Sequence, residues 1–172
     1  MLAVLHGTVC LQAPRKESNP EVALRVLIQR VKNASVTIDG VLKSSIEKGL
    51  LVFVGFCEED TENLIEPMAQ KFSGLRIFED ENGKTNLSID QVSGQVMVVS
   101  QFTLYADCKK GNRPSFTNAG APDMANELYE YVKQRCIELF GGVQCGVFGA
   151  DMQVSLVNDG PFTIILDSKE IL

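Results

Sequence analysis

Histidine is almost absent from this sequence, and its absence removes several kinds of active site. The only histidine among the 172 residues is His6, close to the N-terminus. If residues 1–23 lie outside the folded domain, that domain contains no histidine. A Ser-His-Asp triad, a Cys-His pair and a histidine-ligated zinc site would then each lack their central residue. We therefore expect a site without imidazole chemistry. We also expect no metal ion, and no cofactor, because the glycines are spaced neither as a Walker loop nor as a dinucleotide fingerprint.

The cysteines fit neither a disulfide framework nor a zinc ribbon. There are five of them, an odd number, and no two form a Cys-x-x-Cys pair. This usage favours a reducing compartment, and we expect a cytoplasmic protein. Cys108 is distinctive because Lys109 and Lys110 follow it, and nearby cations favour the thiolate. A thiol hydrolase that uses Cys108 therefore stays open as one alternative.

Long apolar runs are also missing, and the net charge is negative. No run approaches the roughly 18 apolar residues of a transmembrane helix, so we expect no membrane partner. The formal net charge of −6 argues against a protein that coats nucleic acid in general, because such binding needs Lys and Arg opposite the phosphates. It does not exclude a protein that grips one shaped end of a nucleic acid through a mildly basic stretch that contains Lys109, Lys110 and Arg113.

The pattern that is present is typical of one mixed α/β domain. Hydrophobic residues make up 45% of the sequence, enough to bury a core, and 172 residues suit a single domain. Residues 1–23 lack periodicity, so we expect a flexible extension before a domain at 24–172. Apolar runs and period-two alternation predict strands at 24–32, 34–39, 41–46, 49–56, 75–79, 95–104, 151–157 and 162–167.

Helix and turn signals separate these strands. Apolar residues at helical spacing predict a helix capped by Asp60 or Thr61, and Pro67 is expected to kink it or to shift its start. A second predicted helix begins with Pro122 and ends at Gly141-Gly142. Turns are predicted at Asp39-Gly40, Asn82-Gly83 and Asn158-Asp159-Gly160-Pro161.

Two segments carry polar groups that need an explanation. The first is Ser100-Gln101-Phe102-Thr103-Leu104, at the end of the strongest predicted strand. Strand alternation places Gln101 and Thr103 on one face, beside Tyr105. These side chains either satisfy neighbouring backbone groups or line a pocket that holds a carbonyl or a hydroxyl. Thr103 is an unattractive nucleophile, because a neutral hydroxyl needs a base and no histidine is at hand.

The second segment is Asn158-Asp159-Gly160-Pro161-Phe162-Thr163, between two predicted strands. A plain turn is one interpretation. A Gly-Pro bond can also be cis at about 0.5–1 kcal/mol above trans, which would turn the flanking carbonyl groups in an unusual direction. Rigid main-chain carbonyls beside the open space at Gly160 could recognise an ammonium group and test the shape around the adjacent carbon atom.

In this order and at this spacing, the two segments resemble the motif pair of the D-aminoacyl-tRNA deacylases, the D-Tyr-tRNA(Tyr) deacylase family. Either segment alone is a weak signal, whereas the pair is highly specific. The resemblance spans residues 24–172 and includes three further stretches, Arg25–Val31, Gly111–Phe116 and Phe148–Val154. One departure is Phe162, where the family more often has valine after the Gly-Pro pair.

The resemblance implies a compact mixed α/β domain with layered β-sheets covered on one side by helices. It also implies an enzyme that hydrolyses the ester between a D-amino acid, or achiral glycine, and the 3′-terminal adenosine of tRNA. The products would be free amino acid and free tRNA, so the activity would be chiral proofreading in translation. An aminoacyl ester is already activated, so positioning, stabilisation of the oxyanion and a well-placed water can suffice.

Specific site residues also follow from the resemblance. Gln101, Phe102 and Thr103 would form the catalytic wall around the ester and the terminal ribose. The RNA's own 2′-hydroxyl is favoured over Thr103 as the reactive group. Ser100 and Phe148 would bind substrate, with Phe148 at the terminal adenine.

The Gly160-Pro161 dipeptide would, by the same resemblance, be cis and enter the active site of the partner subunit. Its main-chain oxygens would capture the amino acid, and an L side chain would clash with it. The protein would therefore be a homodimer with two composite sites. A module that binds RNA or DNA ends without catalysis stays open as a second alternative.

Overall fold

The computed structural model describes residues 23–172. The extension predicted for residues 1–23 therefore lies outside the described residues, apart from Ala23. In chain order the elements are β1 (Arg25–Ile38), β2 (Val41–Ile46), β3 (Gly49–Gly55), α1 (Glu62–Ser73), β4 (Phe78–Glu79), β5 (Thr85–Leu87), β6 (Gln95–Ser100), α2 (Pro122–Phe140), β7 (Gln144–Cys145), β8 (Gln153–Asp167) and α3 (Ser168–Ile171). Two 3₁₀ turns, Asp90–Val92 and Phe102–Tyr105, lie before and after β6.

A mixed sheet carries the fold. Strand β1 is so long that β3 pairs with its first half and β2 with its second half, both antiparallel. Strand β8 pairs antiparallel along the other edge of β1. Strand β6 is added parallel to β3, and β7 is parallel to β6. The strands β3 and β6 therefore end at the same edge, a place where α/β sheets commonly bind ligands.

The helices cover one face of this sheet. Even-numbered residues of β1, such as Val26 and Ile28, meet Val52 of β3 on that face. Helix α1 packs against them with Ile65 and Phe72, which are seven residues apart and therefore lie on one side of the helix. The arrangement confirms the predicted mixed α/β class.

A smaller core lies on the opposite face. Its buried members are Val31, Ala34, Val36, Ile46, Leu51, Met97 and Val99. The Ser44 hydroxyl of β2 donates to the Cys145 carbonyl of β7 at 2.9 Å, so the curled sheet brings β2 against β7. Strand β3 is therefore buried on both faces, which explains its continuous apolar run.

The two longer helices begin where the sequence signals indicate. Thr61 is the N-cap of α1, and Pro67 lies inside the helix without shifting its start. Helix α2 begins with Pro122 and ends at Gly141, whose φ of +69° is one that glycine adopts without strain. The Asp39-Gly40 turn between β1 and β2 is also confirmed. No helix among residues 23–172 combines the length and the apolar character that crossing a membrane requires.

The predicted breaks in the two longest strands are wrong. Segments 24–32 and 34–39 are one strand, β1, because β8 pairs along nearly its whole length. Segments 151–157 and 162–167 are likewise one strand, β8, and the turn predicted between them is an irregularity within that strand. Both errors have one cause, since local signals cannot show that both flanks pair with the same distant strand.

Other strand predictions also differ from the structure. The strand predicted at 95–104 ends at Ser100, and a 3₁₀ turn replaces its last residues. The strand predicted at 75–79 shortens to β4, which pairs only with the three-residue β5. Strands β5 and β7 were not predicted, because three and two residues are too few for a periodic signal.

Candidate active site

A cleft of about 690 Å³ opens where the parallel strands β3 and β6 end. Gly55 and Ser100, at the ends of these strands, form part of its wall, and Ala121 and Pro122 at the start of α2 form another part. The segment 148–152 closes a third side. A cleft of this size, with apolar walls and a few polar groups, suits a small ligand or the end of a larger one.

The chain turns sharply as it enters the cleft wall. The last ladder contact of β6 is the Gln101 N–H, which donates to the Val54 carbonyl at 2.8 Å, and the Leu104 N–H then donates back to the Gln101 carbonyl at 3.3 Å. A Cβ at Gly55 would lie 2.8 Å from the Gln101 carbonyl oxygen, so only glycine lets the turn approach β3 this closely. Because β3 ends at Gly55, β6 loses its partner and cannot continue as a strand.

Gln101 and Thr103 nevertheless lie together, although not by the strand alternation that was predicted. The Gln101 Nε2 donates to the Thr103 Oγ1 at 2.6 Å across the turn. Tyr105 does not stand beside them: it is fully buried, and its hydroxyl donates to the Ala23 carbonyl. Burial raises the pKa of Tyr105 well above its ordinary value.

Of the predicted site residues, Ser100, Gln101, Phe102 and Phe148 line the cleft. Thr103 is exposed on the turn and is not among the lining residues. Residues 23–172 contain no histidine that could act as its base. The geometry therefore gives Thr103 a contact to Gln101, and residues 23–172 supply no histidine that would activate its hydroxyl.

Aromatic rings mark the mouth and the inner wall of the cleft. Phe102 is 57% exposed and meets Phe116 edge to face, with ring centres 5.1 Å apart. Phe148 is half-buried and packs on Tyr129 at 6.0 Å. The Tyr129 hydroxyl donates to main-chain carbonyls of β6 and of the loop after β7, which fixes the ring behind Phe148. Planar rings in these positions can stack on a flat ligand such as a nucleobase.

The Gly160-Pro161 peptide bond is cis, as the family resemblance implies, and both residues are exposed. They lie where the register of the pairing between β8 and β1 shifts. Gln29 pairs with Thr163 and Val31 pairs with Asn158, so several residues of β8 protrude opposite Arg30. We call residues 159–162 the Gly-Pro bulge.

The Gly-Pro bulge is held by a buried arginine and an asparagine. The Arg30 Nε donates to the Asp159 carbonyl at 2.9 Å, and its guanidinium lies 4.8 Å from the centre of the Phe162 ring. Another nitrogen of Arg30 donates to the Ile77 carbonyl. The Asn158 Oδ1 accepts from the Phe162 N–H at 2.6 Å. Phe162, the departure from the family pattern, thus packs on Arg30 and leaves Gly160 and Pro161 on the outside.

The bulge and the cleft of one chain are far apart. Arg25 of β1 pairs with Gly55 at the cleft, whereas Arg30, opposite the bulge, pairs with Leu50. Five residues of strand correspond to roughly 17 Å, and the bulge is on β8, on the other side of β1. Gly160 and Pro161 are not among the residues that line the cleft.

The cysteines differ strongly in environment. Burial raises the pKa of Cys57 to about 11 and that of Cys136 to about 12, so both thiols are unreactive at neutral pH. Cys108 is exposed in the loop after the 3₁₀ turn and is not among the cleft-lining residues. The structure therefore separates the exposed thiol from the cleft.

Two arginines near these features were missed by sequence reasoning. A signal existed for Arg30, since it shares the parity of the buried Val26 and Ile28, and a charge on a buried strand face needs partners. Arg25 gave no such signal. Its partners, Leu104 and Asp167, are distant in the chain and become visible only in the fold.

The fold and the cleft together define a mixed α/β protein whose candidate site lacks histidine and lies at the ends of two parallel strands. The chain matches the family model described as D-Tyr-tRNA(Tyr) deacylase over residues 27–167. A D-aminoacyl-tRNA deacylase of Thermosipho africanus is 51% identical over 148 residues, which are 86% of this chain and 99% of that protein. One of Parabacteroides distasonis is 54% identical over 147 residues, 85% of this chain and 98% of that protein. The chain belongs to the D-Tyr-tRNA(Tyr) deacylase family, which confirms the resemblance carried by the two motifs.

Solved structures agree on the fold. A structure titled "c-Myc DNA Unwinding Element Binding Protein" matches with a TM-score of 0.78 and 39% identity, and the match covers 83% of this chain and 97% of that one. A probable eukaryotic D-amino acid tRNA deacylase matches with a TM-score of 0.76, over 84% of this chain and 99% of that one. At 17% identity, the second match bears on the fold alone.

Proposed function

We propose that this protein hydrolyses the ester bond of D-aminoacyl-tRNA, and of glycyl-tRNA, as a proofreading step in translation. One observation carries the proposal. This chain belongs to the family, and it combines a cleft lined by Ser100, Gln101 and Phe102 with an exposed Gly-Pro bulge. The partner is aminoacyl-tRNA, and a role in translation corresponds to the cytoplasm.

Hydrolysis of the aminoacyl ester needs little catalytic help from the side chains. Water adds to the acyl carbon, the bond to the 3′-oxygen of the terminal ribose breaks, and that oxygen takes up a proton as it leaves. Gln101 and Phe102 hold the ester and the ribose in the cleft, and Thr103 orients Gln101 through their 2.6 Å hydrogen bond. Proton transfer falls to water and the 2′-hydroxyl of the RNA, because no histidine lies in residues 23–172.

Chiral selection requires a second subunit. The Gly-Pro bulge protrudes from its own chain and lies roughly 17 Å along the strands from its own cleft, which favours a role in the cleft of a partner over one in its own. In the homodimer, the carbonyl groups of Gly160 and Pro161 accept from the amino group of the substrate. An L side chain then points into rigid main chain and is excluded.

Phe148 stacks on the terminal adenine, with its ring fixed by Tyr129. The loop that follows Phe102 supplies the positive charge for the acceptor end, through Lys109, Lys110 and Arg113. At the base of this loop, the backbones of Asp107 and Ser115 exchange two hydrogen bonds. The segment that carries these three side chains is therefore held at both ends. Only one end of the tRNA is held, which a protein of net charge −6 can do.

The experiment is a matched deacylation assay with the full chain. Purified protein is incubated with D-tyrosyl-tRNA, L-tyrosyl-tRNA and glycyl-tRNA, and ester loss is followed over time. We expect loss of the D and glycyl esters and persistence of the L ester. The variant Ala150→Trp, which fills the cleft, is the control for a contaminating hydrolase. Equal loss of the D and L esters, or loss that survives in the variant, would contradict the proposal.

A second candidate function is the binding of nucleic-acid ends without turnover. It is favoured by one observation, the 39% identity to a structure titled as a DNA unwinding element binding protein. The same assay separates the two, because a binding module would retain tRNA and leave every ester intact.

A further inference from the structure

A single arginine links the cleft wall to the far end of the chain. Arg25 is the first residue of β1, and its Nη1 donates to the Leu104 carbonyl at 3.0 Å. Its Nε donates to Asp167 Oδ2 at 3.1 Å, where β8 ends. Its guanidinium also lies 4.9 Å from the centre of the Tyr105 ring. Two of these contacts are to the turn Phe102–Tyr105.

That turn has little regular structure to hold it. A four-residue 3₁₀ turn has weaker hydrogen-bond geometry than a helix or a ladder. The Gln101 N–H ties its start to β3, and Leu104 then presents its carbonyl to Arg25. A hydrogen bond from a charged donor is about twice as strong as a neutral one. Arg25 therefore fixes the end of the turn, as β3 fixes its start.

Asp167 determines which way the guanidinium points. Arginine presents its donors in a rigid planar fork, so a carboxylate on Nε sets the direction of Nη1. The Arg25 side chain is 34% exposed and that of Asp167 is 19% exposed, so the pair is partly shielded from water. Arg25 does not itself line the cleft.

We propose that Arg25, oriented by Asp167, is a positioning residue for the deacylation. By holding the Leu104 carbonyl, it sets the direction in which Gln101 and Phe102 face the ester. The inference rests on the proposed function, because it names a residue that prepares the same site. Misplacement of a positioning group by about 1 Å can cost up to a hundred-fold in rate, so a measurable loss is expected from a residue that touches no substrate.

The test compares Arg25→Met with Arg135→Met. Methionine keeps most of the apolar stem of Arg25 and removes its donors. Arg135 is a matched control, since it is also a partly shielded arginine paired with carboxylates, Glu66 and Glu138, but it joins α1 to α2. Both variants are expected to lower the melting temperature. Only Arg25→Met is expected to lower kcat for D-tyrosyl-tRNA, by about ten-fold, with KM changed by less than about two-fold.

Two further variants report on the mechanism. Arg25→Lys keeps the charge but cannot hold both acceptors in one plane, so its kcat should lie between those of wild type and Arg25→Met. Asp167→Asn loosens the guanidinium and should lower kcat in wild type, yet add little to Arg25→Met. That non-additivity is the signature of a shared pathway through Leu104. If Arg25→Met fails to fold, the other two variants carry the test.

The outcomes separate the inference from the proposed function. An Arg25→Met protein with unchanged kcat, or a kcat loss matched by Arg135→Met, overturns the positioning role while deacylation stands. If wild type deacylates nothing, the proposed function fails. The inference is then decided by backbone amide NMR shifts, which should change between Gln101 and Ala106 in Arg25→Met and stay unchanged there in Arg135→Met.

Discussion

Replacement of Gly160 by alanine tests how the Gly-Pro bulge is held. Gly160 has a φ of +141°, a conformation that residues with a Cβ rarely adopt. An added Cβ would lie 3.1 Å from the Phe162 nitrogen and 3.2 Å from Arg30 Nη2. Neither neighbour can move freely, because one is main chain and the other is a buried side chain with several partners.

The two effects add to a sizeable cost. A residue with a Cβ in such a backbone conformation is strained by about 1–3 kcal/mol. The tight contacts with Arg30 and Phe162 add about 1 kcal/mol, the lower end for an overpacked site. Gly160→Ala should therefore lower the free energy of unfolding by about 2–4 kcal/mol. The displaced carbonyls should also slow deacylation of D-tyrosyl-tRNA by at least about ten-fold.

Urea unfolding at fixed protein concentration provides the measurement, followed by circular dichroism because the chain has no tryptophan. Gly142→Ala is the matched control, since a Cβ there meets nothing within 4 Å and its φ is not in the positive range. The control should be neutral, or more stable by up to about 1 kcal/mol. If Gly160→Ala unfolds like Gly142→Ala, the bulge is not held in the way described here.

Three other predictions each concern one side chain. Thr103→Ala should keep deacylation of D-tyrosyl-tRNA within about ten-fold of wild type, because no base activates the hydroxyl; complete loss in a folded dimer would favour Thr103 as the nucleophile. Iodoacetamide at pH 8 should modify Cys108 faster than Cys57, whose pKa is about 11, and leave activity intact; inactivation that Cys108→Ala prevents would favour the thiol hydrolase. Burial raises the pKa of Asp60, so the folded state binds that proton more tightly than the unfolded state. The free energy of unfolding should then fall as pH rises from the ordinary aspartate range through the raised pKa, a fall that Asp60→Asn removes; identical pH profiles would contradict it.

The fold was predictable where the signal was local. The Asp39-Gly40 hairpin, the start of α2 at Pro122 and the apolar run of β3 each depend on a few adjacent residues. The end of β6 was not predictable. Ser100–Leu104 alternates like a strand, but its partner β3 stops at Gly55, and a sequence pattern does not show where a parallel partner stops.

The motifs of the candidate site were predictable from the sequence, but the residues that hold those motifs in place were not. Gln101, Phe102 and Phe148 reach one cleft, as expected. The arginines that hold the turn and the bulge, Arg25 and Arg30, were not singled out. Several of their acceptors are main-chain carbonyls that carry no residue identity, and the Asp167 carboxylate that pairs with Arg25 is distant in the chain. Contacts of this kind leave almost no trace in a single sequence.

The most direct test of the proposed composite site mixes two variants that are each expected to have little or no activity alone. One carries Ala150→Trp, which fills its own cleft, and the other carries Gly160→Ala, which disturbs the bulge that it donates. When the two are unfolded and refolded together, half of the dimers are mixed, and each mixed dimer has one intact cleft facing one intact bulge. We expect recovery of about one quarter of the wild-type rate on D-tyrosyl-tRNA, with the L ester still intact. No recovery, from variants that fold and form mixed dimers, would show that cleft and bulge do not act across subunits.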